Sequence, residues 1–142
     1  SFNADLLRSL VEAAEKASDP QPEPSPPIGG CEGLCEYADE NVLFLDKAPH
    51  EWLFPRCACT VHHGGAGTTA AALRAGVPTI VVPVAYDQWY HGDWVVKLGV
   101  GIKASKYDEV TPEELADALR RATSDAEMRQ RSMAVAETLR RE

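Results

Sequence analysis

The stretch Val61-His62-His63-Gly64-Gly65-Ala66-Gly67-Thr68-Thr69 decides the fold class of this chain. Thr60 and Val61 read as the end of a β-branched strand, and Thr68 to Arg74 form a helical run with Gly76 as its stop. Three glycines, Gly64, Gly65 and Gly67, make the crossing between the two. A second β-branched strand follows at Thr79 to Val82, closed by Pro83, and residues 88–98 offer another helix carrying Trp89, Trp94, Val95 and Leu98. Strands alternating with helices in this way predict an α/β fold, a Rossmann-like parallel sheet with flanking helices.

Upstream, Val42 to Leu45 reads as a further short buried strand. Asp46 to His50 is a turn into a brief helix through Trp52, Leu53 and Phe54, which Pro55 limits. Leu6, Leu7, Leu10, Val11 and Ala14 have the spacing of an amphipathic helix over residues 4–17. Prolines at 20, 22, 24, 26 and 27, followed by Gly29, Gly30 and Gly33, make residues 18–33 a loop that should be mobile. Downstream, Thr111-Pro112-Glu113-Glu114 supplies a cap, a first-turn proline and an N3 carboxylate. Ser124-Asp125-Ala126-Glu127 repeats that pattern before a terminal helix.

The chain has 142 residues, 44% of them hydrophobic, enough for one modest core and therefore one domain over residues 1–142. Its net charge of −8 and the lack of a Lys/Arg stripe argue against a nucleic-acid partner. Apolar runs such as Val77 to Ala85 fall short of the roughly 20 residues that span a bilayer, so a cytoplasmic location is expected, peripheral to membranes at most. Cys31, Cys35, Cys57 and Cys59 have the chemistry for zinc or disulfides. Their C-x3-C and C-x-C spacings suit neither well, and the expectation is reduced thiols with no metal site.

The glycine turn carries the chemical signal. Bare backbone lets a ligand approach, and the N–H groups and positive dipole end of the following helix favour a phosphate. The same glycines fit a tightly packed turn, and they form neither a dinucleotide fingerprint nor a Walker A loop. Asp87-Gln88 follows the next strand, so both crossings fall on the carboxyl edge of a parallel sheet, where ligands bind. A carboxylate beside an amide suits sugar hydroxyls, although Asp87 alone reads more often as a solvated loop carboxylate or a helix cap.

The run from Asn41 to Pro55, joined to V-H-H-G-G-A-G-T-T-A-A-A-L-R-A-G-V-P-T-I-V-V-P-V-A-Y-D-Q over Val61 to Gln88, resembles the C-terminal half of GT-B fold glycosyltransferases. Within them it is similar to the sterol 3-beta-glucosyltransferases, which move glucose from UDP-glucose to a sterol hydroxyl. The resemblance is strongest over residues 41–103. It implies that His62, Gly65, Ala66, Gly67, Thr68 and Thr69 surround the UDP diphosphate, with His62 stabilising the leaving group. Lys47, Ala48, Pro49 and His50 would lie near the uracil, and Asp87 and Gln88 would bind the sugar. No cofactor beyond the UDP-sugar donor substrate is implied. Plant-type members have a tryptophan and a glutamate where this chain has Lys47 and Ala70, and Phe-Phe-Gly commonly precedes Asp-Gln where Ala85-Tyr86 stands here.

The implied activity is inverting glucosyl transfer to a sterol or other lipid hydroxyl, with the general base and acceptor pocket on an N-terminal half. A chain of this kind would be a fragment inactive without that acceptor domain or partner chain. The alternatives are the donor-binding subunit of a split N-acetylglucosamine transferase and a noncatalytic UDP-sugar-binding module.

Overall fold

The structure, a computed structural model, describes Tyr37, residues 41–43, Leu45 and residues 47–141. The expected helix over 4–17 and the proline-rich loop over 18–33 lie outside the described residues, as do Cys31 and Cys35. The chain divides into two units, Ser1–Ala48 and Pro49–Glu142, and the second holds every strand described below.

That unit begins with α1 (His50–Leu53), which runs into a 3-10 turn at Phe54–Arg56 containing Pro55, and continues through β1 (Thr60–His62), α2 (Ala66–Ala75) and β2 (Thr79–Val81). Then come α3 (Gln88–Leu98), β3 (Gly101–Lys103), α4 (Pro112–Ser124) and α5 (Ala126–Arg140). The strands are parallel in the order β1-β2-β3, with Thr60 opposite Thr79 and Thr79 opposite Gly101. Central β2 is buried throughout because helices cover both of its faces. Ile80 packs with Ala104, Ala118, Ala122 and Met128 on one side, and Val81 with Val95 and Val100 on the other.

Helices stop where the sequence lets them. Gly76 and Gly99 are left-handed, at φ 72° and 68°, and end α2 and α3. Thr111 caps α4 by accepting from Glu114 N at 3.1 Å. Glu114 does not reach back to complete a capping box, because its Oε1 accepts from Ser105 N at 2.8 Å and ties α4 to the loop after β3.

Three expectations are corrected. Val42, Leu43 and Leu45 lie in no strand, and Val42 and Leu43 are exposed rather than buried. Asp125, not Ser124, caps α5, accepting from Met128 N at 2.9 Å. Ser124 instead ends α4, and its hydroxyl donates to the Arg120 carbonyl. β3 had no counterpart among the expected strands. Its Gly101 sits so near β2 that a Cβ would overlap the Thr79 carbonyl oxygen, so a residue of low strand propensity is what close pairing requires.

Candidate functional site

The two crossings at the carboxyl edge of the sheet touch each other. Gly64, at φ 92°, leaves β1 in a conformation open to glycine, and a Cβ there would stand 2.7 Å from Val81 Cγ1 and 3.1 Å from the Gln88 carbonyl oxygen. The glycine turn is therefore packed onto the first residue of α3. Gly67 differs: among the described residues a Cβ on it would meet nothing within 4 Å, so none of them demands a glycine there.

α2 begins at Ala66 with Gly65 as its N-cap residue and no side-chain cap, and its first internal bond runs from Thr69 N to Gly65 O at 2.9 Å. The N–H groups of Ala66, Gly67 and Thr68 have no protein partner among the described residues. They form an uncapped, partly exposed helix N-terminus with the partial positive charge that favours an anion. Thr69 Oγ1, buried in the same turn, also lacks a partner among the described residues.

His62 is turned into the protein. Its Nδ1 accepts from Gly64 N at 3.0 Å, so the ring proton is on Nε2, which donates to Thr79 Oγ1 at 2.8 Å. Thr60 Oγ1 completes the chain, 2.8 Å from Thr79 Oγ1. Burial, reinforced by His63 and then His50, lowers the His62 pKa to about 4, which keeps the ring neutral at physiological pH. Both ring nitrogens thus have protein partners in this geometry.

Asp87 starts α3 with an exposed carboxylate that has no partner among the described residues and makes no side-chain cap bond. Gln88 is half committed. Its Oε1 accepts from Val84 N at 2.8 Å and Ala85 N at 2.9 Å, stapling the β2–α3 loop and leaving only the amide NH2 to face a ligand. Tyr86, the residue before Asp87, is left-handed at φ 58° and 90% exposed. Tyr86→Gly should therefore stabilise the fold by about 0.5–1 kcal/mol, the relief of a left-handed side chain less the extra freedom of an unfolded glycine. Thermal denaturation reads the shift.

The other expected residues are placed as follows. Pro49 is the N-cap residue of α1, with its carbonyl accepting from Trp52 and Leu53 N, and His50 stacks on Phe54 at 4.5 Å. Lys47 and Ala48 belong to the first unit. Sequence reasoning left His91 without a role, yet it is buried with Nδ1 2.6 Å from Gly64 O. Lys103 and Lys106 each hold an ammonium over the Trp89 ring, 5.4 Å from its centre. Cys57 and Cys59 are free thiols whose pKa burial raises.

A parallel sheet with an uncapped helix N-terminus and an exposed carboxylate on the two crossings at its carboxyl edge has the form of a nucleotide-binding half-domain, and its structural neighbours are GT-B glycosyltransferases. The glycotransferase of kitacinnamycin superposes with a TM-score of 0.69 at 29% identity, covering 81% of this chain and 29% of that one. VinC, solved in complex with DTDP, superposes with a TM-score of 0.65 at 32% identity, covering 76% and 28%. The chain belongs to the family described as erythromycin biosynthesis protein CIII-like, C-terminal domain, which it matches over residues 32–141.

Among curated relatives, sterol 3-beta-glucosyltransferase UGT80B1 of Arabidopsis thaliana is 42% identical over 92 residues, covering 65% of this chain. A sterol 3-beta-glucosyltransferase of Cryptococcus neoformans is 41% identical over 140 residues, covering 99% of it. The chain spans 15% and 8% of the lengths of these two relatives. Among the described residues no helix is long and apolar enough to cross a membrane.

Proposed function

We propose that this chain is the donor-binding domain of an inverting, UDP-glucose-dependent glucosyltransferase acting on a sterol or other lipid hydroxyl. The observation that carries the reading is the packing of Gly64 onto Gln88, which brings the turn before the uncapped N-terminus of α2 against the start of α3, where Asp87 is exposed. A nucleotide sugar has a diphosphate for the first and hydroxyls for the second. The sterol glucosyltransferase relatives and the nucleoside diphosphate in VinC support the same assignment.

In the reaction the acceptor oxygen bonds to the anomeric carbon as that carbon's bond to the UDP oxygen breaks. A general base on the acceptor half takes the hydroxyl proton. Negative charge grows on the departing diphosphate, where the N–H groups of Ala66, Gly67 and Thr68 are preorganised donors. His62 serves this cradle by holding Gly64 N–H, and Thr68 adds a hydroxyl in the same turn, whereas the Thr69 hydroxyl is buried beneath it. Asp87 accepts from the sugar hydroxyls while the Gln88 amide donates to them. Pro49 and His50 are assigned to the uracil side. Transfer uses the acceptor half of a longer enzyme, working in the cytoplasm against a membrane that carries the lipid.

Calorimetric titration of the purified chain with UDP, UDP-glucose and ADP tests the reading. Selective binding of UDP and UDP-glucose is expected, and a folded chain that binds neither would sink it. Asp87→Ala should weaken UDP-glucose by about tenfold, the worth of a hydrogen bond to a charged acceptor, and leave UDP unchanged. Equal losses for both ligands would remove Asp87 from the sugar site.

A further inference from the structure

The Gly64 residue is held at both of its backbone polar groups by imidazoles. Its N–H donates to His62 Nδ1 at 3.0 Å, and its carbonyl lies 2.6 Å from His91 Nδ1. A carbonyl can only accept, so His91 carries a proton on Nδ1, whereas His62, accepting at Nδ1, carries its proton on Nε2. The two rings hold opposite tautomers across one glycine. His91 belongs to α3 three residues after Gln88, is buried, and packs its ring against Trp94 at 5.3 Å.

The direction of this bond has a consequence for the neighbouring peptide. In a trans peptide the N–H points opposite to the C=O, and no peptide among the described residues is cis. Drawing the Gly64 carbonyl toward α3 therefore turns the Gly65 N–H away from His91. That N–H has no protein partner among the described residues and lies directly before the open N–H groups of Ala66, Gly67 and Thr68.

Resting on the donor-binding reading, we propose that His91 is a positioning residue of the diphosphate site: by holding the Gly64 carbonyl it aims the Gly65 N–H into the cradle as a fourth backbone donor. It also ties α3, which carries Asp87 and Gln88, to the phosphate turn, so the sugar and diphosphate subsites keep one spacing. Its contribution to affinity runs through the Nδ1 proton and not through ring bulk.

Two substitutions separate these roles. His91→Asn keeps a donor near the Nδ1 position and loses the ring, whereas His91→Phe keeps ring bulk against Trp94 and loses the donor. UDP titrations of the full chain should show His91→Phe weakened at least tenfold and His91→Asn within about threefold of wild type, whatever the order of their melting temperatures. Equal affinities for the two variants, or affinities that simply follow melting temperature, would overturn the proposal. Nitrogen-15 spectra of the wild-type chain supply a readout independent of variant folding. The His91 ring should be protonated at Nδ1, and both its resonances and the Gly65 amide should shift on addition of UDP. A ring protonated only at Nε2, or a Gly65 amide that UDP leaves unmoved, would likewise reject it. A wild-type chain that binds no UDP fails the donor-binding reading itself and takes this inference with it, whereas binding that is indifferent to His91→Phe rejects the inference alone.

Discussion

Alanine at Gly64 should destabilise the domain by about 3–4 kcal/mol and abolish UDP binding, while alanine at Gly67 should leave stability intact and still weaken UDP at least tenfold. At Gly64 the backbone is left-handed at φ 92°, a conformation that carries a penalty of roughly 1–2 kcal/mol for a residue with a side chain. The new methyl would also stand 2.7 Å from Val81 Cγ1. Val81 is fully buried and β-branched, so it has little freedom to move aside, and such overpacking adds about 1–3 kcal/mol. Total domain stabilities are typically about 5–15 kcal/mol, so the loss is large.

Gly67 has neither problem. Its Cβ would enter open space in the first turn of α2, and alanine favours a helix over glycine by up to about 1 kcal/mol. Among the described residues nothing meets that methyl, so a loss of UDP affinity would report a ligand lying on the helix N-terminus. Chemical denaturation and UDP titration of the two variants separate the effects. Undiminished UDP affinity in Gly67→Ala would mean that the diphosphate does not approach this backbone.

How much of this was legible in the sequence follows from how local each signal is. Helix α3 was readable at its full extent, residues 88–98, and Gly76 as the stop of α2, because periodicity and a left-handed glycine act within one turn. α2 begins at Ala66, two residues before Thr68, because Ala66 and Gly67 resemble loop until the helix is seen to pass through them. β3 was illegible: three residues that include a glycine and a lysine have little propensity, and their strand is imposed by pairing with β2. Asp125 displaced Ser124 as cap because adjacent cap-forming residues compete, and only the end of the preceding helix decides between them.

At the site, strand–turn–helix order suffices to put the glycine turn and Asp87-Gln88 on one sheet edge. It does not reveal how side chains are used within it. The Gln88 side-chain Oε1 is occupied by Val84 and Ala85 N–H groups, local bonds hidden by the expectation of ligand contact. His91 meets Gly64 across 27 residues of sequence, and nothing in the spacing of the two announces that bond. Tyr86 occupies a left-handed position that glycine would adopt without steric penalty, and nothing in its spacing announces that conformation.

Lowering the pH from about 6.5 to 4 should remove about 2–3 kcal/mol of stability through His62 alone, and His62→Asn should abolish that component. The folded ring titrates at about 4 against an ordinary value of 6.5. Above 6.5 the imidazole is neutral in both states and its contribution is fully present. As the pH falls the unfolded ring takes up a proton that the folded ring refuses, so the unfolded state gains, and the loss levels off only below about 4. The full shift corresponds to about 3.4 kcal/mol at 1.36 per unit, reduced here for the ring's partial contact with solvent. Protonation at Nδ1 would set two N–H groups, from the ring and from Gly64, facing each other, with His63 and His50 adding repulsion. Carboxylates titrate over the lower part of the same range, so the measurement is a difference between denaturation curves of wild type and His62→Asn from pH 7 to 4. Asparagine offers Gly64 N–H an acceptor near the Nδ1 position and cannot be protonated there, so the variant should keep its turn at neutral pH and lose less stability toward pH 4. Parallel curves would show that the ring opens to solvent and takes up its proton without disturbing the turn.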